Sequence, residues 1–237
     1  MNETKMYPKT IGLIGGMSWE STIPYYTMIN EYVKENLGGL HSARIILYSV
    51  EFDEIEKCQS SGDWERSAAI LSDAANKLEN AGADMILICT NTMHKVYEEI
   101  KERVNVPVIH IADATADELC KDGIKKVALL GTRYTMKEDF YKKRLVDRNF
   151  EVLIPNDADV DIVNKIIFEE LCVGKIDDIS RNEYIRIIKD METKGAEAVI
   201  LGCTEIGLLI HQENSPIPVY DTTKIHATKA AKIALEK

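Results

Sequence analysis

Apolar positions along the chain fall into two alternating kinds of segment. Short runs rich in β-branched residues, such as residues 10–14 and 126–132, are typical of strands buried on both faces of a parallel sheet. Longer stretches, such as residues 64–80, place apolar residues three and four positions apart and predict amphipathic helices. This alternation predicts an α/β fold with mainly parallel sheets and right-handed crossovers.

Three landmarks occur twice in the same order. They are a strand ending in a glycine turn, a Gly-Ala-acidic sequence before a strand that ends in Cys-Thr, and a hydrophobic-Pro-Val strand. The offsets are 116 residues from Gly15 to Gly131, 114 from Cys89 to Cys203 and 111 from Pro107 to Pro218. Near-constant offsets predict an internal duplication. We therefore expect two pseudo-symmetric three-layer α/β domains, residues 1–113 plus 222–237 and residues 114–221, with the active site in the cleft between them.

Charge and cysteine content narrow the function classes. The 39 Asp and Glu residues outnumber the 29 Lys and Arg residues, so a nucleic acid or an anionic membrane is not an expected partner. No apolar run approaches the roughly 20 residues that span a bilayer. Five widely spaced cysteines without a CxxC pair predict neither a disulfide framework nor a zinc site. We expect reduced thiols in the cytoplasm and no metal.

The Gly15-Gly16 turn after the first strand resembles a nucleotide-binding turn only superficially. The GxGxxG spacing is absent, so a turn for a small anion or carboxylate is the better interpretation. Met17 and Ser18, which follow the turn, are candidates to line a pocket.

The paired cysteines suggest acid–base chemistry. A thiol whose pKa is lowered at a helix N-terminus is a competent base, and a neutral thiol is a competent acid. Cys89 and Cys203 on opposite sides of a cleft could remove a proton from one face of a carbon and return one to the other face. This operation inverts a stereocentre.

Polar residues beside the two cysteines suit substrate binding. Thr90, Asn91, Thr92 and Thr204 offer hydroxyl and backbone N–H groups at helix starts, where a carboxylate is stabilised. Glu205 is a candidate to orient Cys203 or to bind an amino group, although it could also cap a helix.

Other cysteines and histidines have plainer interpretations. We assign Cys58, Cys120 and Cys172 to small apolar filling, with Cys172 near the cleft. We interpret His94 and His211 as structural or exposed residues rather than catalytic ones.

Three motifs give the chain a resemblance to the aspartate/glutamate racemase family, most of all to the bacterial broad-specificity amino-acid racemases. They are GGMS at residues 15–18, CTNTMH at residues 89–94 and GCTEI at residues 202–206. The resemblance implies cofactor-independent two-base racemisation of an amino acid by Cys89 and Cys203, in a homodimer. It also implies substrate contacts from Met17, Gln59 and residues 90–92.

The sequence departs from the aspartate racemases of that family at two places. They carry an Arg after the second strand and a Lys before the glycine that follows a later helix. Residues 51–56 and 170–174 contain no cation here. We therefore expect a neutral or basic amino acid rather than aspartate, with Asp53, Glu54 or Glu56 as partners for a basic side chain.

Three alternatives stay open from the sequence. The enzyme could act on aspartate or glutamate, or it could be a related α-carbon isomerase or decarboxylase that uses a single thiol. It could also be a small-molecule binding protein without chemistry.

Overall fold

The computed structural model describes residues 8–236. These residues form two compact units. Among the described residues, one unit contains residues 8–89, Val96–Ile109 and residues 227–236, and the other contains Thr90–Lys95 and His110–His226. The domain boundaries expected from the sequence, after residues 113 and 221, remain a prediction. Residues 1–7 and 237 of the expected first domain lie outside the described residues.

The first unit is built on a four-stranded parallel sheet with the order β2-β1-β3-β4. Its elements are β1 (Thr10–Gly15), α1 (Trp19–Leu37), β2 (Arg44–Ser49), α2 (Phe52–Ser61), α3 (Trp64–Asn80), β3 (Met85–Ile88), α4 (Tyr97–Lys101) and β4 (Val108–Ile109). A 3-10 helix, Thr92–Val96, precedes α4.

The second unit is built on a second parallel sheet with the order β6-β5-β7-β8. Its elements are α5 (Ile111–Lys121), β5 (Lys126–Gly131), α6 (Arg133–Lys137), α7 (Asp139–Val146), β6 (Glu151–Leu153), α8 (Asp157–Glu169), α9 (Asp178–Thr193), β7 (Ala198–Gly202), α10 (Ile206–Leu209), β8 (Val219–Asp221) and α11 (Thr222–Leu235). From residue 227 onward, α11 is counted with the first unit.

Both sheets follow the same second-first-third-fourth strand order, as an internal duplication would produce. The α/β fold with parallel sheets expected from the sequence is confirmed.

The repeated Gly-Ala-acidic sequence has the same structural role in each unit. Gly82 and Gly195 take left-handed conformations, with φ of 93° and 92°, just after α3 and α9. A carboxylate then accepts a hydrogen bond from the backbone where the neighbouring strand begins. Asp84 Oδ2 lies 2.6 Å from the Thr10 N, and Glu197 Oε2 lies 2.6 Å from the Lys125 N. The repeated motif therefore fixes strand register at the end of each sheet opposite the cysteines.

The turn after β1 requires glycine. Gly16 has a φ of 87°, and a Cβ there would lie 2.3 Å from the Val50 carbonyl oxygen. Ser18 then caps α1, because its hydroxyl accepts a hydrogen bond from the Ser21 N–H.

The apolar spacing of the sequence predicts helices over residues 94–103, 134–149 and 159–172, and the structure differs from the prediction at each of them. The helix expected over residues 94–103 is a 3-10 helix followed by the short α4. The helix expected over residues 134–149 is divided where Glu138 is extended (ψ 163°). The helix expected over residues 159–172 ends at residue 169, so Cys172 lies in a 3-10 helix, Leu171–Val173.

One face of the first sheet packs against small side chains. Ile11, Leu13, Met85, Leu87 and Cys89 form a cluster with Ala227, Ala230, Ala231 and Ala234 of α11. Those alanines recur at helical spacing, and their small size lets the helix approach the sheet closely.

Within residues 8–236, none of the helices is both long and apolar enough to cross a bilayer.

Candidate active site

Cys89 lies at the carboxyl end of β3 in the first unit. It is fully buried, and its backbone N–H donates to the Ile14 carbonyl at 2.9 Å, which continues the pairing of β1 with β3. Met17, in the turn after β1, is also buried. Burial raises the pKa of the Cys89 thiol well above its ordinary value.

Cys203 occupies the corresponding position after β7 in the second unit. Its thiol donates to Glu205 Oε2 at 3.0 Å, and the Thr204 hydroxyl donates to the same oxygen at 2.8 Å. Burial, followed by the charge of Glu205, raises the pKa of the Cys203 thiol well above its ordinary value.

The expectation of a lowered thiol pKa is therefore wrong for both cysteines. Desolvation disfavours a thiolate on each strand end. The helix that follows Cys203 has only four residues and offers a weak dipole.

Residues 90–95 pack at the carboxyl ends of the second unit's strands. The Asn91 side-chain N–H donates to Thr222 Oγ1 at 3.0 Å, and that hydroxyl donates to the Leu201 carbonyl at 2.7 Å. The hydroxyls of Thr92 and Thr132 share a hydrogen bond of 3.0 Å. The carboxyl edge of a parallel sheet is the usual place for ligands in α/β proteins.

Asn91 has an unused acceptor. Its Oδ1 is buried, and among the described residues it has no hydrogen-bond partner. An unpaired buried carbonyl costs about 1–3 kcal/mol, so this oxygen suits a ligand that brings an N–H or O–H donor.

A buried histidine cluster fixes the loop after Cys89. The Ile111 N–H donates to His94 Nε2 at 3.1 Å, so Nδ1 carries the proton and donates to the Thr90 carbonyl at 2.8 Å. The rings of His110 and His226 lie 4.4 and 5.9 Å from the His94 ring, centroid to centroid. Burial, followed by the charge of His226, lowers the pKa of His94 to about 3. His94 is thus a neutral structural residue.

Comparison with known proteins decides the family. A profile of the Asp/Glu/hydantoin racemases matches residues 14–230. The chain belongs to this racemase family.

Three proteins resemble this racemase over nearly their whole length. The broad-specificity amino-acid racemase RacX of Bacillus subtilis is 27% identical over 217 residues, which cover 90% of this chain and 92% of RacX. A crystal structure of a candidate Asp/Glu racemase from Yersinia pestis is 55% identical, with a TM-score of 0.90, and the match covers 96% of this chain and 100% of that one. An aspartate racemase homologue from Pyrococcus horikoshii is 41% identical, with a TM-score of 0.84 and the same coverage. The family expected from the sequence is confirmed.

The acidic residues after β2 are already engaged in the racemase. Asp53 forms an ion pair with Lys57, and Glu54 forms one with Arg66 at 2.7 Å. Both pairs are exposed on the surface, and Glu56 is half-buried. The first turns of α2 therefore repel an anionic substrate less than their sequence suggests.

Gln59, predicted to contact substrate, lies buried on α2 in the first unit. Thr90 and Thr204 are buried in the second unit. Three further polar residues of this region are not identified from the sequence: Thr132, Asp221 and Thr222. Each lies at or directly after the end of a strand, and this position could have marked them as candidates to line a ligand site.

The remaining cysteines differ from one another. Cys58 is buried, as expected for a filler, and Cys172 is half-buried. The assignment of Cys120 as a filler is wrong, because it is exposed and its sulfur lies 4.0 Å from Arg148 Nη2. Within residues 8–236, no group of three or more His, Cys, Asp or Glu side chains is placed to hold a metal ion.

Proposed function

We propose that the protein is a cofactor-independent amino-acid racemase in which Cys89 and Cys203 are the two acid–base groups. The observation that carries the proposal is their equivalence. Cys89 directly follows β3 and Cys203 directly follows β7, and each of these strands is the third along the chain in its own sheet. Each cysteine is followed by a threonine.

The chemistry is the exchange of one proton for another at the α-carbon. One thiolate removes the α-proton, which breaks a C–H bond and forms an S–H bond. The other thiol protonates the opposite face, which breaks its S–H bond and forms the new C–H bond. The mechanism requires both sulfurs to reach one carbon. Burial suits this task, because a poorly solvated thiolate is a stronger base toward the weakly acidic α-proton.

Cys203 has a nearby proton acceptor. Transfer of its proton to Glu205 Oε2, 3.0 Å away, breaks the S–H bond, forms an O–H bond and moves the negative charge to sulfur. Glu205 thereby orients and activates the thiol. We assign no such partner to Cys89.

Substrate binding follows from the polar groups beside the two cysteines. Asn91 Oδ1, which is unpaired among the described residues, accepts a hydrogen bond from the substrate's ammonium group. The Thr92 hydroxyl, which also contacts Thr132, and the Thr204 backbone N–H bind the carboxylate, which gains negative charge as the α-proton leaves. Thr90, Met17 and Gln59 complete the proposed contacts, as the family resemblance implies.

We propose a neutral amino acid as the substrate, within a broad specificity. Neither residues 51–56 nor residues 170–174 include a cation for a side-chain carboxylate. Asp53 and Glu54, considered as partners for a basic side chain, are paired with Lys57 and Arg66.

We also propose a cytoplasmic homodimer. Trp19, Ile23 and Tyr26 are each more than half exposed, and they lie at helical spacing on one face of α1. A second copy of the chain would cover such an apolar face.

The test is a screen of the chiral standard L-amino acids for loss of optical purity in deuterated water. We expect at least one neutral amino acid to racemise with deuterium entering the α-position. Cys89→Ser and Cys203→Ser should each abolish this activity, whereas Cys58→Ser should retain it. Near-normal racemisation by either active-site variant would contradict the two-base assignment. Release of carbon dioxide would identify a decarboxylase, and stabilisation by an amino acid without turnover would identify a binding protein.

A further inference from the structure

Glu205 connects two thiols. Its Oε2 accepts the Cys203 thiol at 3.0 Å, and its Oε1 lies 3.8 Å from the Cys172 sulfur, within hydrogen-bond distance for a thiol donor. Cys203 and Cys172 thus contact opposite oxygens of one carboxylate, although they are 31 residues apart in the sequence.

The backbone around Cys172 is firmly held. The 3-10 helix Leu171–Val173 is anchored by Leu171, which is fully buried in the core of the second unit. Gly174, in a left-handed conformation, donates its N–H to the Leu171 carbonyl at 3.0 Å. The Ser180 hydroxyl donates to Glu170 Oε2 at 2.7 Å. The sulfur of Cys172 is therefore presented to Glu205 by an ordered turn.

Cys172 is the most exposed of these three groups. Glu205 is 2% exposed and Cys203 is 8% exposed, whereas Cys172 is half-buried. Cys172 is the member of the three that reaches furthest toward solvent, so it can exchange a proton with water while Glu205 stays dry.

We propose that Cys172 is a positioning residue for Cys203, acting through Glu205, and that these three side chains form the path by which the Cys203 proton exchanges with solvent. The proposal rests on the racemase function above. It adds to that function a residue that does not touch the substrate.

The proton exchange needs only the three side chains and water. When Cys203 is a thiolate and Glu205 is protonated on Oε2, the Oε2–H bond breaks and the Cys203 S–H bond forms. In the same step, the Cys172 S–H bond breaks and an Oε1–H bond forms. The Cys172 thiolate then takes a proton from water, which breaks an O–H bond of the water, forms the Cys172 S–H bond and releases hydroxide to the solvent. The reverse sequence carries a proton outward.

Cys172→Val tests the path, because valine fills the position with an apolar side chain that has no proton to transfer. The substrate is each pure enantiomer of the amino acid that racemises fastest in the screen, in deuterated water at early conversion. The readout is a ratio. It compares the fraction of recovered starting enantiomer that carries deuterium at the α-carbon with the corresponding fraction of the product enantiomer. A proton returned by Cys203 before exchange leaves protium in the starting enantiomer.

For the enantiomer whose proton Cys203 removes, we expect this ratio to fall about threefold or more in Cys172→Val, since slower exchange favours return of the original proton. For the other enantiomer, handled by Cys89, the ratio should not change. We also expect kcat to fall with KM nearly unchanged. Cys120→Val, at an exposed cysteine of the same unit, is the matched control and should behave as wild type.

A ratio that changes for neither enantiomer, or equally for both, would overturn the proposal. Unfolding midpoints show whether the valine variant is folded, and Cys172→Ala provides a second variant with the same expected asymmetry. Loss of racemisation in Cys203→Ser with an unchanged ratio in Cys172→Val would refute only the role of Cys172. Retained racemisation in Cys203→Ser would refute the proposed function itself.

Discussion

The neutral histidine cluster should make the folded protein sensitive to mild acid. His94 accepts a hydrogen bond from the Ile111 N–H and donates one to the Thr90 carbonyl, so a second ring proton would break the first contact and add a charge beside His110 and His226. All three rings are almost completely buried. Protonation is therefore much more favourable in the unfolded chain.

The magnitude follows from proton linkage. The pKa of His94 is about 3 in the folded protein, against 6.5 as its ordinary value. Because the folded pKa is the lower one, stability is complete above about pH 6.5 and falls as the pH decreases, until the folded group itself titrates. At pH 5, His94 alone should cost about 2 kcal/mol of unfolding free energy. The pKa of His110 is also lowered by burial, so its effect has the same sign.

Urea unfolding at about pH 8 and about pH 5 measures the effect. We expect wild type to lose at least about 2 kcal/mol between the two pH values, and His94→Gln to lose less, because it lacks the titrating group. His41→Gln, at an exposed histidine of the first unit, should keep the wild-type difference. Equal pH dependence in wild type and His94→Gln would refute this reasoning, as would nitrogen chemical shifts of a charged His94 in folded protein at about pH 5.

Two stability predictions concern close contacts in the second unit. A methyl group on Gly207 would lie 2.7 Å from Asp221 Oδ2, so Gly207→Ala should cost about 1–3 kcal/mol in urea unfolding, and much less when Asp221 is already alanine. If the losses of unfolding free energy from Gly207→Ala and Asp221→Ala simply add in the double variant, the steric explanation is wrong. Glu197→Ala leaves the N–H groups of Lys125 and Lys126 without their shared side-chain acceptor and should lower the urea unfolding midpoint. An unchanged unfolding midpoint in Glu197→Ala would show that the contact does not stabilise the strand.

The strand ends of the candidate site could be predicted because their signals are local. Cys89 and Cys203 each follow a short apolar run, and the duplicated order of landmarks relates them before any contact is known. The break at Glu138 has no such signal, since glutamate is a good helix former and only its extended backbone divides the helix.

The electrostatics of the site depended on tertiary contacts. The burial that raises the pKa values of the Cys89 and Cys203 thiols comes from residues distant in sequence. The meeting of Cys172 with Glu205 joins residues 33 positions apart across a turn that was expected to be helix. The same holds for Asp53 and Glu54, whose charges seemed available in the sequence but are paired on the surface.

The alanine face of α11 bears on the order in which the polypeptide is completed during translation. The first unit needs Ala227, Ala230, Ala231 and Ala234 for its core, although its sheet is built from the first 109 residues. The second unit ends at His226. Domains fold as units while the ribosome synthesises the chain. The first unit is synthesised before the second, but it can complete its core only after α11 has been synthesised. A nascent chain released before residue 234 would leave the Cys89 strand without part of its packing.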